Sequence, residues 1–151
     1  MTTIAWDGKS LAADKLMSQQ GLRGVVTKIQ RGADGSLIGI SGQFSTGLHA
    51  AQWVANGADP ALMPKTQDSD EWVGIIQIKP DGTIWKYERG PVPMKIEDCI
   101  FAVGSGRDFA LAAMYMGKSA IEAVKVAARF DVYTGMGVDV LNLVVKHEHS
   151  S

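Results

Sequence analysis

The residues best placed by type and position to do chemistry stand at the start of the chain, Met1-Thr2-Thr3. A small residue at position 2 permits removal of the initiator methionine, which would leave Thr2 with a free α-amine beside its own hydroxyl. An α-amine titrates at about 7.7 to 8.0, so near neutral pH a useful share of it is free base. Such an amine takes the hydroxyl proton directly or through a water, making one threonine both nucleophile and base. Read on its own, Thr2-Thr3 is more simply the opening of a β-prone segment.

Other candidates are less persuasive. Gly104-Ser105-Gly106 looks like a phosphate loop but lacks the lysine and the longer glycine spacing of a P-loop. His49 lies in a helical pattern, where a lone histidine is more often packed or solvated than a ligand. His147 and His149 sit in a polar tail, a poor place to hold a metal, so no metal and no cofactor are expected. Met114 and Met116 read as core filler, Cys99 as a buried strand cysteine, and Asp139 as a carboxylate without an evident partner.

These residues need elements to position them. Thr2 to Trp6 and Ser10 to Ala13 are short β-type runs joined by Asp7-Gly8, a strong hairpin signal. Leu22 to Gln30 alternates as a strand does, and Asp34-Gly35 turns into a further strand from Ser36 to Ser41. A helical pattern runs from Gln43 to Asn56, with Phe44, Leu48, Ala51 and Ala55 on one face and Gly57 closing it. Ala58 to Asp70 reads as a loop. Glu71 to Lys79 and Thr83 to Glu88 form a hairpin around Pro80-Asp81-Gly82, and Ile100 to Val103 is a short strand. Arg107 to Met116 is a helix with Phe109, Ala112, Ala113 and Met116 on one face. A second helix runs from the capping box Ser119-Ala-Ile-Glu122 to about Phe130, with Ile121, Val124 and Ala128 inward. The strand Val138 to Val145 and a polar tail, residues 146–151, complete the order. Helices grouped between antiparallel strands imply an α+β fold, with two sheets sandwiched by helices as one solution.

Composition narrows the classes. The 151 residues are 46% hydrophobic and 21% charged, which suits one domain spanning 1–151. Fifteen basic against sixteen acidic residues give a net charge of -1, so no basic field favours nucleic acid. A single cysteine cannot form an internal disulfide, which fits a reducing, cytoplasmic setting. The start MTTIAWDGKS lacks the basic and apolar regions of a signal peptide, and no apolar run of membrane-spanning length occurs.

Several segments, taken in order, carry a resemblance. Thr2-Thr3-Ile4-Ala5 followed by Leu11-Ala12-Ala13-Asp14 resembles the opening of proteasome β subunits and of the HslV-type bacterial peptidase. Thr27-Lys28-Ile29 lies where that family has its catalytic lysine, and Ser41-Gly42 matches its small-residue–glycine turn into the first helix. Val103-Gly104-Ser105-Gly106 matches its Gly-Ser-Gly loop. Arg129-Phe130-Asp131-Val132-Tyr133-Thr134-Gly135-Met136-Gly137-Val138-Asp139-Val140 resembles the family's Arg-Asp-Val-Tyr-Ser-Gly-Gly-Gly-Val-Asp stretch.

The resemblance implies a four-layer αββα sandwich of two antiparallel sheets flanked by helices, the N-terminal-nucleophile hydrolase fold of a short, bacterial or phage-like member. It implies a threonine endopeptidase that loses Met1 and forms an acyl-enzyme on Thr2. Lys28 would supply positive charge beside the nucleophile and Asp14 would orient it. The Gly42 N–H would form the oxyanion hole, while Ser105, Asp131 and Thr134 would orient the amine. Thr134 keeps the hydroxyl of the family's more common serine. Met17, Val26, Gln30, Ile40 and Phe44 would line the first specificity pocket, and Ser18 and Gly42 would pair with an extended substrate. Four of those five pocket positions are apolar, so a hydrophobic or medium-sized residue is expected before the cut. Also implied are polypeptide substrates, a homo-oligomeric ring of six or seven subunits that stacks face to face, and an ATPase unfoldase. A catalytically silent ring or scaffold protein is the alternative, but a scaffold needs none of Thr2, Asp14, Lys28, Ser105 and Asp131. A small-molecule amidohydrolase fits the segment 129–140 less well.

Overall fold

The computed structural model of the chain describes residues 2–65 and 73–144. Met1, the expected strand start at Glu71, the expected strand end at Val145 and the tail with His147 and His149 lie outside the described residues.

The chain opens as the sequence predicts. β1 (Thr3–Trp6) and β2 (Ser10–Asp14) pair antiparallel, with Ile4 opposite Ala13 and Trp6 opposite Leu11. Asp7 shapes the turn: its Oδ1 accepts the N–H groups of Lys9 and Ser10, each at 2.8 Å. Asp7 Oδ2 accepts the N–H of Ala120 at 2.9 Å, which ties the turn to a helix more than a hundred residues away.

The expected single strand over Leu22–Gln30 is divided. β3 (Leu16–Gln19) and β4 (Leu22–Val25) form a separate hairpin around Gln20-Gly21, both at positive φ. β5 (Ile29–Arg31) instead pairs with β6 (Leu37–Gly42). Residues 26–28 therefore cross between two sheets, tied by Val26 N–H to the Lys15 carbonyl and by Ile40 N–H to the Lys28 carbonyl, both at 2.9 Å. Alternation persists through this stretch because the chain stays extended while its pairing partner changes.

α1 (Phe44–Ala55) follows, with Gln43 as its N-cap, and a single 3-10 turn spans Pro60–Leu62. β7 (Val73–Ile78), β8 (Ile84–Tyr87), β9 (Met94–Ile96) and β10 (Phe101–Gly104) lead to α2 (Arg107–Tyr115), α3 (Ala120–Phe130) and β11 (Val138–Asn142). The capping box at the start of α3 is present, with both hydrogen bonds between Ser119 and Glu122 made.

All described strand pairs are antiparallel, in a four-stranded sheet ordered β10-β1-β2-β11 and a five-stranded sheet ordered β5-β6-β7-β8-β9. Period-two alternation gives each sheet two apolar faces. Ile4, Trp6, Leu11, Leu37, Ile76 and Ile78 meet between the sheets. Ala5, Ala12 and Ala102 form a low floor for Ala110 and Met114 of α2 and Ala120, Ala123 and Val124 of α3. Ile38, Ile40 and Ile75 face Ala51, Trp53 and Val54 of α1. The result is a four-layer αββα sandwich. Each fully buried Val, Leu, Ile or Met side chain in these layers contributes about 1.5–3 kcal/mol, and each alanine less.

Helix facing departs from expectation where the helices are alanine-rich. In α2 the buried residues are Ala110 and Met114; Phe109 is half exposed and stacks on Phe130 at 5.5 Å, while Met116 is exposed. An alanine floor accepts the narrow Ala110 side of the helix and leaves the phenylalanine at its margin. In α1, Leu48 is likewise half exposed and Trp53 takes the inward place, its indole N–H on the Asp59 carbonyl at 2.8 Å. In α3, Ala120, Ala123, Val124 and Ala127 are buried, while Ile121 and Ala128 are partly so. Cys99 is exposed, ahead of β10 rather than within it.

Gly39 leaves room for a side chain of the facing sheet and for one of its own neighbour strand. A Cβ there would stand 2.9 Å from both Ile4 Cδ1 and Ile76 Cγ2. Gly39→Ala is expected to lower stability by about 1–3 kcal/mol in urea unfolding. Gly90→Ala, where a Cβ meets nothing within 4 Å, serves as a near-neutral control.

Candidate active site

Strand alternation sets the two threonines on opposite sides. Thr3 shares the helix-facing side of β1 with Ala5, and Thr2 lines an open groove beside the sheets. Gly104 is opposite Thr3 at the end of β10, with φ at +98°. A Cβ on Gly104 would collide with the Thr2 carbonyl, and one on Gly106 would collide with the Thr3 hydroxyl. The glycines flanking Ser105 thus let the loop close on the backbone of Thr2, whose carbonyl accepts the Gly106 N–H at 3.4 Å.

Beneath this lies a buried ion pair. Asp14, at the end of β2, is 0% exposed, and Lys28, on the crossing segment, is 3% exposed. Lys28 Nζ donates to Asp14 Oδ1 at 2.9 Å. The same oxygen accepts the Thr3 N–H at 3.1 Å, and Oδ2 accepts those of Leu16 and Gly135 at 3.3 and 3.1 Å. A carboxylate out of water needs such full satisfaction, since desolvating an ion costs several kcal/mol. Burial pushes the Lys28 ammonium below its ordinary pKa, opposed by the hydrogen bond and charge of Asp14 and by the charge of Asp131. Lys28 is a cation that holds its proton less tightly than a solvated lysine.

A second carboxylate collects hydroxyls. Asp131 Oδ2 accepts from Ser105 Oγ at 2.6 Å and from Thr134 Oγ1 at 2.7 Å, and Oδ1 accepts the Tyr133 N–H at 3.1 Å. Each hydroxyl carries one proton, and Asp131 takes it from both. Ser105 Oγ is then left to accept the N–H of Thr2 at 3.2 Å, and Thr134 Oγ1 to accept from the Thr3 hydroxyl at 2.7 Å. Burial alone would raise the pKa of Asp131; the Ser105, Thr134 and Tyr133 hydrogen bonds outweigh it and hold the group below the usual carboxylate range.

Thr2, Lys28, Gly42 and Ser105 all line one groove of about 1120 Å³, while Asp14, Asp131 and Thr134 stand behind them. Gly42 ends β6 at φ +92°, directly before the N-terminus of α1, whose free N–H groups favour negative charge. Met17, Ser18, Val26, Ile40 and Phe44 line the same groove. Gln30 does not: it is exposed on β5, opposite Ile38, past the point where the crossing segment joins its sheet. Thr3, Lys86, Arg107 and Tyr133 belong to the site or the groove without having been singled out. Thr3 was accessible from strand alternation; the other three depend on tertiary folding. Asp139 has a partner after all, Lys15 Nζ at 2.7 Å. The arrangement offers a threonine with a fixed amide nitrogen and a nearby buried cation, both on an open groove. Among the described residues no helix is long and apolar enough to cross a membrane.

No protein-family model matches the chain. No curated protein matches it by sequence. Solved structures do match by fold. BPH of Thiobacillus denitrificans in complex with epoxomicin aligns with a TM-score of 0.67 at 23% identity, over 95% of this chain and 98% of that one. A second structure of Thiobacillus denitrificans BPH gives 0.64 at 24% identity with the same coverage. Eukaryotic HslV from Trypanosoma brucei gives 0.67 at 18% identity, over 93% and 97%. The chain has the HslV-like, proteasome-like N-terminal-nucleophile fold.

The two carboxylates make separable predictions. Lys28→Met leaves Asp14 buried without its cation and is expected to cost about 3–5 kcal/mol in urea unfolding; adding Asp14→Asn should recover part of that loss. Asp131 has a folded pKa below its unfolded value of about 3.9, so its stabilisation is full above that pH and is lost as pH falls through the folded value. Asp131→Asn should therefore flatten the acid limb of a stability–pH curve below about pH 4 and leave its shape near neutrality unchanged.

Proposed function

We propose that the chain is an N-terminal threonine endopeptidase whose nucleophile is Thr2 after loss of Met1. The observation that carries this reading is the position of the Thr2 nitrogen, held 3.2 Å from a Ser105 hydroxyl that Asp131 orients, at the head of a groove shared with Lys28. Support from outside the chain is its likeness in fold to BPH, which one structure holds with epoxomicin, and to HslV.

In this mechanism the α-amine of Thr2 takes the proton from its own Oγ1, and the oxygen attacks the substrate carbonyl carbon. Lys28 lowers the energy of the developing alkoxide through its charge. The Gly42 N–H, with the N-terminal turn of α1 behind it, donates to the tetrahedral oxyanion. The carbon–nitrogen bond then breaks, and the departing amine takes the proton from the α-ammonium. An ester on Thr2 remains. Water deprotonated by the same amine attacks that ester and restores the hydroxyl. Ser105, Asp131 and Thr134 hold the amine in place throughout, and Asp14 holds Lys28. Met17, Val26, Ile40 and Phe44 accept an apolar or medium-sized side chain before the cut. Homo-oligomeric rings of six or seven subunits in the cytoplasm, fed by an ATPase unfoldase, are the assembly this reading favours. A silent scaffold would have no use for a Ser105 hydroxyl oriented by Asp131 onto the Thr2 nitrogen at an open groove, so that alternative is disfavoured.

Intact mass of the purified protein is expected to show loss of one methionine residue. A fluorogenic peptide library should then reveal turnover that falls by at least about 10³-fold in Thr2→Ala and survives in part in Thr2→Ser. Epoxomicin should add to the processed wild-type chain and not to Thr2→Ala. Turnover undiminished in Thr2→Ala, or no turnover of any peptide by a chain lacking Met1, would overturn the reading.

A further inference from the structure

The groove is charged in one sense. Among the described residues that line it are three cations, Lys28, Lys86 and Arg107, and no carboxylate. Lys28 is committed to Asp14. The other two have no place in the peptidase mechanism.

Arg107 is the first residue of α2, directly after the loop that closes on Thr2. Its Nη1 donates to the Gly104 carbonyl at 3.0 Å, and Gly104 is the residue whose backbone touches Thr2. One of five guanidinium N–H groups is used there. Its nearest carboxylate is Asp108, 3.9 Å away and largely in solvent, an arrangement that screens the charge only weakly. Lys86 lies on β8 opposite Ile76, a residue of the inter-sheet core, and lines the groove from that side of its sheet. Its Nζ is 3.2 Å from Glu88, which is outside the lining. The N-terminus of α1, through Gln43, Phe44 and Ser45, opens on the same space and adds positive potential.

We propose that Arg107, seconded by Lys86, selects peptide substrates that carry a carboxylate side chain close to the cleaved bond. This rests on the peptidase reading above and deepens it. Apolar walls at Met17, Val26 and Phe44 hold one side chain while the guanidinium reads a neighbouring acid. Arg107 is placed to do so because it is anchored to the strand beside Thr2, so its fork is already oriented before a substrate arrives.

The test uses fluorogenic peptides identical except for Glu, Gln or Lys at each position flanking the cut in turn. At one position Glu should exceed Gln by about fivefold in kcat/KM, through KM, with Lys the poorest. The advantage should shrink at about 0.5 M salt, where exposed charges are screened. Arg107→Gln should bring the Glu and Gln peptides together, and Arg107→Lys should keep most of the difference. Equal rates for Glu and Gln at every position, or a preference unchanged in both Arg107→Gln and Lys86→Met, would overturn the proposal. Absence of any turnover would count against the peptidase reading alone. Fluorescein-labelled Glu and Gln peptides titrated onto Thr2→Ala protein then decide the selection separately: tighter, salt-sensitive binding of the Glu peptide supports it, and equal binding overturns it.

Discussion

An ammonium and a carboxylate lie side by side out of water, where the end of β2 meets the crossing segment, and much of the rest of the structure serves that pair. Asp14 reaches full satisfaction only because four separate parts of the chain bring donors to it: the start of β1, the link into β3, the crossing segment and the loop before β11. Each donor fixes the path of its own segment. The pair is thus a register pin as much as an electrostatic element. A cation buried this way keeps a constant position and a constant field, which a solvated lysine on a long flexible stem does not.

A division of labour follows between the two carboxylates. Asp14 takes backbone N–H groups and one cation and is sealed from water. Asp131 takes two hydroxyls and stands nearer solvent, so its influence passes through Ser105 and Thr134 by orienting protons. Threonine at 134 and threonine at 3 extend that chain of hydroxyls to the helix-facing side of β1. A serine at 134 would make the same hydrogen bonds, since these use only the hydroxyl.

Much of this was legible in the residue order, because it depends on local chemistry. Asp7-Gly8 announces a hairpin because both residues suit the turn, and Ser119 with Glu122 announces a helix start for the same kind of reason. The division of Leu22–Gln30 was not legible: alternation reports only that the chain is extended, and the choice of partner strand is made by residues far away in sequence. Gln30 keeps the side that alternation gives it, opposite Ile38 as Lys28 lies against Ile40, but it stands farther along β5 than the groove lining reaches, a limit that alternation does not report. The facing of α2 was ambiguous because an alanine-rich helix offers two acceptable sides, and the alanine floor of the four-stranded sheet chose between them. Arg107 looks like an ordinary first helical residue until the loop before it is seen to fold over Thr2.

The hydrogen bonds that define the site join residues far apart in the chain. The Thr2 nitrogen and Ser105 are 103 positions apart, Thr3 and Thr134 are 131 apart, and Asp14 and Gly135 are 121 apart. Such nonlocal closures form late, after the entropy of bringing distant segments together has been overcome. During synthesis, the threonine at the beginning emerges long before the residues that complete its surroundings. The order of synthesis therefore sets the order of assembly: a nascent chain carries Thr2 without Ser105, Asp131 and Thr134, and the surroundings of its nitrogen are complete only when the last third of the chain has docked.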